Sequence, residues 1–443
     1  SFDWTGKTPA RPAERVTTYP RGYEVEVPVP LAKNQFLGCL AARGCLSILT
    51  EQPEVDGGRL GIYGVSWGGF MTWLVNGLDS RAKCAVPVYG TGGLHWPGHL
   101  WNRNWSILSD VERTQWMRFM EPRTYAARQR SPVFFLNGTN DFFGGMDVMA
   151  EMGHMANQPI WYGYSPNGNH HMSGGSVRAA ERFFGRFLRG GEPLPPSPGV
   201  RVTEELENEL RVETTIAGGT PEVWFSTGRR RHSARRWQVL RDYGIEDGQA
   251  VFTVPLIDTV WLYVRERHTN DTFLDSAPIC YTATRPDADS PDELFSPPSP
   301  DGLGIHSQTE LRMAGDPEEL YSLTEDGLTG RSTDQELIPL YIRTADTPQS
   351  TGPLRNRHLA VELRGFRSFR VEAGWNEHFP DMKIYAVDVP EPNDGTLALT
   401  PREFTDPAGV SLADFRQVEY FLLKGTPRPG ETFRLGQVSW STV

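Results

Sequence analysis

The first part of the chain alternates between short apolar runs and segments in which apolar residues recur at helical spacing. The continuous runs predict buried strands at residues 60–63, 84–90, 132–138 and 159–164. Helical spacing predicts helices at residues 34–50, 69–78, 146–157 and 175–188. Strands that alternate with helices at these distances predict an α/β fold with a parallel sheet.

The pattern changes to strict alternation after residues 189–199, a glycine- and proline-rich stretch that predicts a linker. Short alternating runs then favour a β-sandwich of immunoglobulin-like or fibronectin-like type over 191–284. A second proline-rich linker begins at residue 285, and the alternating runs beyond it favour a second β-sandwich, with a jelly roll as the simplest form. The predicted organisation is an α/β domain over 1–190 and two β domains over 191–284 and 285–443.

One stretch combines a strand, a glycine turn and the start of a helix. It contains Gly64-Val-Ser-Trp-Gly68, a match to the G-x-S-x-G elbow in which a serine hydroxyl is exposed on a strained strand-to-helix turn. We expect Gly64 and Gly68 to occupy places where a Cβ would collide with a neighbouring element, and Gly69 to add room for the helix. Ser66 is therefore a candidate nucleophile, with a structural turn serine as the alternative.

A serine nucleophile needs a base that is itself oriented by an acid. Asp141 directly follows a predicted buried strand, and His170 follows the next strand, in the chain order Ser, Asp, His. The spacings, 141 − 66 = 75 and 170 − 141 = 29 residues, leave room for the intervening elements. His171 is the less favoured alternative to His170 as the base, and it can instead face the pocket.

Composition narrows the classes of function. The chain of 443 residues carries a net charge of −11, which disfavours nucleic acid or an anionic membrane as a partner. No apolar run approaches the length of about 20 residues that spans a bilayer. The four cysteines predict no disulfide scaffold and leave the compartment open. No metal-binding spacing and no phosphate-binding glycine loop is evident, so we expect no cofactor.

Four segments together resemble the dienelactone-hydrolase and acetyl-xylan-esterase-like branch of the α/β-hydrolases. They are Gln52-Pro-Glu-Val-Asp56, the strand and elbow 59–69, Asn137-Gly-Thr-Asn-Asp141 and Pro166-Asn-x-x-His170, and the resemblance covers about residues 33–190. It implies an acyl-enzyme esterase in which Ser66 attacks, His170 transfers the proton and Asp141 holds the imidazolium. It also implies that the backbone N–H of Trp67 supplies half of the oxyanion hole.

The resemblance is incomplete at the N-terminal side. Family members carry several strands before the helix at 34–50, including the loop with the second oxyanion donor, whereas only 33 residues of the given sequence precede it here. The alternating run 23–29 accounts for a single edge strand. We expect an upstream segment or a partner chain to complete the sheet, or the fold to be cut down.

Two further segments have candidate roles. The tryptophan-rich segment 94–120 can form a pocket wall, and Trp96, Trp101 and His171 are candidate substrate-binding residues; core packing explains the aromatic residues equally well. The basic run 229–236 predicts a solvated loop, with contact to an anionic polysaccharide as the alternative.

The preferred function is a serine carboxylic ester hydrolase that acts on a small-molecule or polysaccharide ester, with an acetylated or otherwise esterified carbohydrate as substrate. The first alternative is a serine peptidase of prolyl-oligopeptidase-like type, because Gly64-Val-Ser-Trp-Gly-Gly-Phe-Met71 also resembles the elbow of those enzymes. The second alternative is a non-catalytic carbohydrate-binding protein with a decayed hydrolase domain.

Overall fold

A computed structural model describes the chain from residue 33 onward with several gaps. The described residues are 33–96, 99, 102–106, 108–170, 172–206, 208–215, 217–227, 232–256, 259–268, 272–283, 293–295, 303–304, 322–324, 327–331, 338–343, 357–375, 383–415 and 417–441. The predicted edge strand at 23–29 lies outside them, as do Trp101 and His171.

The helices match the predicted periodicity closely in the first part of the chain. They are α1 (Lys33–Glu51), α2 (Trp67–Leu78), α3 (Asn102–Ser106), α4 (Asp110–Phe119), α5 (Pro122–Ala126), α6 (Met146–Met155) and α7 (Gly174–Arg189). A capping box starts α4, since Ser109 and Glu112 satisfy each other's backbone N–H groups. Helix α2 is buried from Gly69 to Gly77, as expected for a helix in the interior of an α/β fold.

Strands in the first part of the chain are short, and those in the second part follow one another closely. They are β1 (Leu60–Val65), β2 (Ala82–Val88), β3 (Val133–Gly138), β4 (Ile160–Ser165), β5 (Arg201–Glu205), β6 (Glu209–Thr215), β7 (Thr220–Thr227), β8 (Gln238–Leu240), β9 (Gly244–Glu246), β10 (Gln249–Pro255), β11 (Thr259–His268), β12 (Thr272–Asp275), β13 (Ile279–Thr282), β14 (Glu293–Phe295), β15 (Leu303–Gly304), β16 (Ser322–Thr324), β17 (Gly327–Arg331), β18 (Ile338–Arg343), β19 (His358–Arg364), β20 (Phe366–Trp375), β21 (Lys383–Pro390), β22 (Gly395–Leu399), β23 (Tyr420–Pro427) and β24 (Thr432–Ser441).

The described residues form two compact units. The first comprises the described residues up to Phe135 together with Glu151–Ile160 and Arg182–Leu194. The second comprises Leu136–Ala150, Trp161–Glu181 and the described residues from Pro195 onward. Strands β3 and β4 therefore each begin in the first unit and end in the second.

The parallel core begins with β1, which pairs in parallel with β2 from Leu60↔Ala82 to Val65↔Val88. Strand order in the described sheet is β1-β2-β3-β4-β12-β11-β7-β8, with β13 beside β11. Strand β3 is buried along its whole length, whereas the side chains of Tyr63 and Val65 on β1 are 51% and 40% exposed. The predicted parallel α/β core is confirmed.

The sheet does not end with the parallel strands. Within the second unit, Tyr162 of β4 pairs with Asp275 of β12 in an antiparallel register, and β12 continues into β11. The antiparallel sheet β5-β6-β10-β9 shares a core with β7 and β11, to which Leu210, Phe252 and Leu262 contribute fully buried side chains. The first β region, which comprises the described residues of 201–283, is thus paired with β4 within the second unit.

The C-terminal part of the second unit has two more antiparallel sheets. One has the order β16-β17-β24-β19-β22 with β14 beside β24, and the other has the order β15-β18-β23-β20-β21. Alternating side chains from both sheets form one apolar cluster, in which Phe404, Phe415, Phe421 and Trp440 contact one another through their rings. This arrangement agrees with the predicted second β-sandwich.

Candidate active site

Ser66 lies between the last residue of β1 and the first residue of α2. Its backbone has φ 60° and ψ −121°, a left-handed region that costs a non-glycine residue about 1–3 kcal/mol. Two hydrogen bonds hold the turn in place, from Ser66 N–H to the Val88 carbonyl at 2.9 Å and from Phe70 N–H to the Ser66 carbonyl at 3.0 Å. The strained serine at this strand-to-helix turn is the geometry that the G-x-S-x-G pattern predicts.

The glycines of the elbow have different environments. A Cβ at Gly64 would lie 2.1 Å from the Gly68 carbonyl oxygen, and one at Gly69 would lie 2.3 Å from the Val88 carbonyl oxygen. A Cβ at Gly68 would meet no described heavy atom within 4 Å. The steric prediction is therefore confirmed for Gly64 and Gly69 and wrong for Gly68, because the close approach to β2 occurs one residue later.

Trp67 is the first residue of α2, the position at which the proposed oxyanion donor is needed. Its half-buried indole packs edge-on against Phe70, with ring centroids 5.3 Å apart, and Phe70 in turn contacts the buried Trp116. This aromatic row supports the first turn of α2, so that the backbone at Ser66 and Trp67 is backed by packed side chains.

Asp141 and His170 are brought together by the loops that follow β3 and β4. The Asp141 carboxylate is fully buried and approaches His170 Nδ1 with Oδ2 at 2.6 Å. Its other oxygen, Oδ1, accepts hydrogen bonds from the backbone N–H groups of Phe143 at 2.7 Å and Gly144 at 2.6 Å. An acid bound to Nδ1 orients the ring so that Nε2 is the nitrogen that acts as base in a Ser-His-Asp arrangement.

The ring of Phe142 packs against the imidazole of His170. Its ring centroid lies 4.8 Å from that of His170 with an interplanar angle of 34°. The backbone N–H of Phe142 donates to Asn169 Oδ1 at 3.1 Å, which ties the acid loop to the residue before the histidine.

The elbow with Ser66 lies in the first compact unit, and the Asp141–His170 pair lies in the second.

The aromatic segment that follows β2 is organised around a buried glutamate that the sequence analysis did not single out. Glu121 accepts hydrogen bonds from Gly93 N–H at 2.8 Å and from Trp116 Nε1 at 3.2 Å, and burial raises the pKa of its carboxyl group. A Cβ at Gly92 would collide with its carboxylate. The Glu121-Pro122 pair, with proline at the first helical position of α5, is the signal that could have marked Glu121 as a capping residue.

Trp96, one of the predicted substrate-binding residues, is half-buried at the end of this loop. The imidazole of His95 contacts the indole rings of Trp96 and Trp105 at centroid distances of 6.5 and 5.8 Å. Burial, with the nearby Arg123 guanidinium as a further cause, lowers the pKa of His95. The segment thus presents a neutral aromatic cluster.

The prediction of a solvated loop is wrong for the described end of the basic run 229–236. Arg235 is 5% exposed, its guanidinium lies 2.7 Å from the Asp147 carboxylate, and it stacks on Trp261 at 4.2 Å. Arg236 is also buried. A carboxylate on α6 and an indole on β11 offset the cost of burying the Arg235 charge, and neither is near Arg235 in sequence.

Two classes of site are not found among the described residues. No group of three or more His, Cys, Asp and Glu side chains in that part of the chain is arranged to hold a metal ion. No described helix is long and apolar enough to span a membrane.

The elbow, the parallel core and the acid–histidine pair define the α/β-hydrolase class. Residues 35–158 match the family described as "Dienelactone hydrolase family". The match lies within the α/β segment and supports the resemblance to the dienelactone hydrolase family that the sequence motifs predicted.

Individual proteins similar to this chain include both esterases and peptidases. The uncharacterized peptidase YuxL of Bacillus subtilis (strain 168) is 30% identical over 102 residues, which cover 21% of this chain and 15% of that protein. An acetyl xylan esterase from Paenibacillus sp. R4 has a TM-score of 0.30 and 22% identity, with 35% of this chain and 53% of that chain covered. A Mycobacterium tuberculosis puromycin-hydrolyzing peptidase has a TM-score of 0.27 and 23% identity, with 35% and 26% covered.

Proposed function

We propose that this protein is a serine carboxylic ester hydrolase that works through Ser66, His170 and Asp141. The observation that carries the proposal is the 2.6 Å contact between His170 Nδ1 and a fully buried Asp141 carboxylate. A carboxylate in this position orients the base and stabilises the imidazolium that forms during reaction. The strained Ser66 at the elbow supplies the nucleophile that such a pair serves.

In the proposed reaction, Ser66 Oγ attacks the ester carbonyl while His170 Nε2 takes the hydroxyl proton. The oxyanion is stabilised by the Trp67 backbone N–H, and a donor of this kind contributes about 2.7–4 kcal/mol. His170 then protonates the leaving alcohol as the acyl-enzyme forms. Water, activated by the same imidazole, attacks the acyl-enzyme, releases the acid and restores the Ser66 hydroxyl.

An acetylated or otherwise esterified carbohydrate is the proposed substrate class. The aromatic cluster of His95, Trp96 and Trp105 supports it, because aromatic faces stack well on sugar rings and a neutral imidazole adds a hydrogen-bonding group.

A serine peptidase is the second candidate. It is favoured by the curated relative at 30% identity, which is named as a peptidase and which this chain covers over 15% of its length. Amide and ester hydrolysis use the same acyl-enzyme steps and differ in the leaving group, so the two candidates share the same three residues.

The test compares acetate release from an aryl acetate and from acetylated xylo-oligosaccharides with amine release from aminoacyl anilides. Ser66→Ala is the nucleophile variant, and Ser80→Ala, at an exposed serine in the same unit, is the matched control. We expect ester hydrolysis and fluorophosphonate labelling that persist in Ser80→Ala and vanish in Ser66→Ala. Equal ester rates in all three proteins would refute the proposal, and hydrolysis of anilides alone would favour the peptidase.

A further inference from the structure

Two asparagines adjoin the acid and the histidine in sequence. Asn140 immediately precedes Asp141, and Asn167 lies three residues before His170. Both asparagines are fully buried, although neither belongs to the acid–histidine pair itself. Buried amides of this kind need hydrogen-bond partners, and here the partners come from the first β region.

Asn140 joins the acid loop to the segment 232–237, which we call the docking segment. Its side-chain Nδ2 donates to the backbone carbonyls of Arg235 at 2.5 Å and Ser233 at 3.2 Å. Its backbone N–H donates to the Gly168 carbonyl at 2.9 Å. One residue therefore links the acid loop both to the histidine loop and to a segment about 95 positions further along the chain.

Asn167 makes the matching connection from the histidine loop. Its Nδ2 donates to the Trp237 carbonyl at 2.9 Å, and its Oδ1 accepts from the Trp237 N–H at 2.8 Å. The pair of bonds fixes the plane of the amide against the backbone of the docking segment. The φ of 53° at Asn167 is a left-handed conformation that asparagine tolerates better than most residues.

Thr139 connects the two asparagines. Its hydroxyl accepts from Asn167 N–H at 2.8 Å and donates to Asn140 Oδ1 at 2.9 Å. Thr139 is also fully buried. The three side chains form one continuous network that holds the acid loop, the histidine loop and the docking segment in a single arrangement.

The docking segment is itself held on both sides. Arg235 pairs with Asp147 on α6 and stacks on Trp261 of β11, and the Trp237 ring contacts that of Tyr263 at 5.3 Å. These contacts tie it to the acid side of the site and to the β11 strand. A rigid docking segment can therefore transmit its position to Asn140 and Asn167.

We propose that Thr139, Asn140 and Asn167 are positioning residues for the hydrolase reaction, and that the first β region serves as the template that sets the Asp141–His170 geometry. This rests on the proposed function of that pair. All three side chains are fully buried, and they act through Asp141 and His170. Because a displacement of about 1 Å can cost on the order of a hundredfold in rate, the network contributes to catalysis beyond its contribution to stability.

The test uses a threonine pair with matched chemistry. Thr139→Val removes the hydroxyl that links the two asparagines. Thr214→Val is the control: Thr214 lies on β6, is as buried as Thr139, and donates its hydroxyl to the Gly199 carbonyl at 2.6 Å. Asn167→Gly is the stronger variant, because glycine keeps the left-handed backbone and loses only the amide bonds to Trp237. The full chain is used throughout, and urea unfolding measures the loss of stability in each variant.

Two measurements separate positioning from stability. The first is the low-field proton resonance of the His170–Asp141 hydrogen bond, which is observed in labelled protein without any substrate. The second is the split between kcat and KM for an aryl acetate. We expect Asn167→Gly to lower kcat at least tenfold with KM within twofold, and to shift or broaden the resonance. Thr139→Val should do so more weakly, and Thr214→Val should leave both measurements unchanged.

The proposal is overturned if Thr139→Val and Asn167→Gly lose stability as Thr214→Val does while the resonance and kcat stay as in the wild type. Should Asn167→Gly fail to fold, the threonine pair decides the question alone. Absence of ester hydrolysis in the wild type would refute the proposed function instead, and the resonance would then still decide whether the network positions the pair.

Discussion

Gly68 and Gly69 are adjacent in the elbow, and the structure predicts opposite outcomes for the same substitution at each. A Cβ at Gly69 would lie 2.3 Å from the Val88 carbonyl oxygen and 2.9 Å from the Gly90 nitrogen. All of these atoms are backbone atoms of the strand end, so none can move aside as a flexible side chain would. A Cβ at Gly68 would meet no described heavy atom within 4 Å.

The magnitudes follow from these distances. Overpacking against atoms that cannot yield costs about 1–3 kcal/mol or more, so Gly69→Ala should destabilise the fold by at least that amount. Glycine loses more backbone entropy than alanine when a helix forms. Gly68→Ala reduces this loss without a clash and should stabilise the fold by up to about 1 kcal/mol. The two variants should therefore differ by about 1–4 kcal/mol in the free energy of unfolding.

The assay is urea unfolding of the two variants and the wild type, followed by the rate of fluorophosphonate labelling at Ser66. We expect Gly69→Ala to lower the unfolding midpoint and slow labelling, because α2 is pushed away from β2. Gly68→Ala should raise or keep the midpoint. Equal midpoints for the two alanine variants would show that the close approach of α2 to β2 at Gly69 is not as described.

Three further predictions concern charge and thiol chemistry. Asp275→Ala should cost about 3–5 kcal/mol in urea unfolding, because it leaves the buried Arg265 guanidinium without its carboxylate; a loss below about 1 kcal/mol would contradict a fully buried pair. Hydrogen bonds from two arginines hold the pKa of Asp79 well below its usual range, so its stabilisation is present above about pH 4 and is lost as the pH falls further. Asp79→Asn should accordingly lower stability by about 1 kcal/mol at pH 7 and converge with the wild type in acid; a pH-independent difference would contradict this. Burial raises the pKa of Cys84 to about 12, so a disulfide reagent should modify the exposed Cys280 first and Cys84 only after unfolding; early modification of Cys84 would refute its burial.

Local patterns predicted much of the parallel core and of the candidate site. The elbow needs only a strand, a turn and a helix that are contiguous in sequence, and the Asp141 and His170 loops follow strands whose apolar runs are unmistakable. The burial of Arg235 could not be predicted in this way. Its carboxylate partner precedes it by 88 residues, and its aromatic partner follows on β11, so the charge run alone gives a solvated loop.

The same reason explains why the docking segment was missed. Asn140 and Asn167 look like ordinary loop residues in sequence, since asparagine is common in turns. Their buried partners are backbone groups of residues 232–237, and a backbone group carries no compositional signal. Prediction from sequence therefore identified the candidate site residues but did not identify the groups that hold them in place.

The hydrogen bonds that Tyr164 of β4 makes with residues of β11 and β12 have a consequence for the order in which contacts form during synthesis. Tyr164 donates its backbone N–H to Asp275 at 2.6 Å and accepts from Arg265 at 2.6 Å, across separations of 111 and 101 residues. The ribosome must therefore add 275 − 165 = 110 residues after the last residue of β4 before both partners of Tyr164 have been synthesised. In a nascent chain that ends before Asp275, Ser66, Asp141 and His170 have all been synthesised, whereas Tyr164 of β4 still lacks the carboxylate that accepts its backbone N–H.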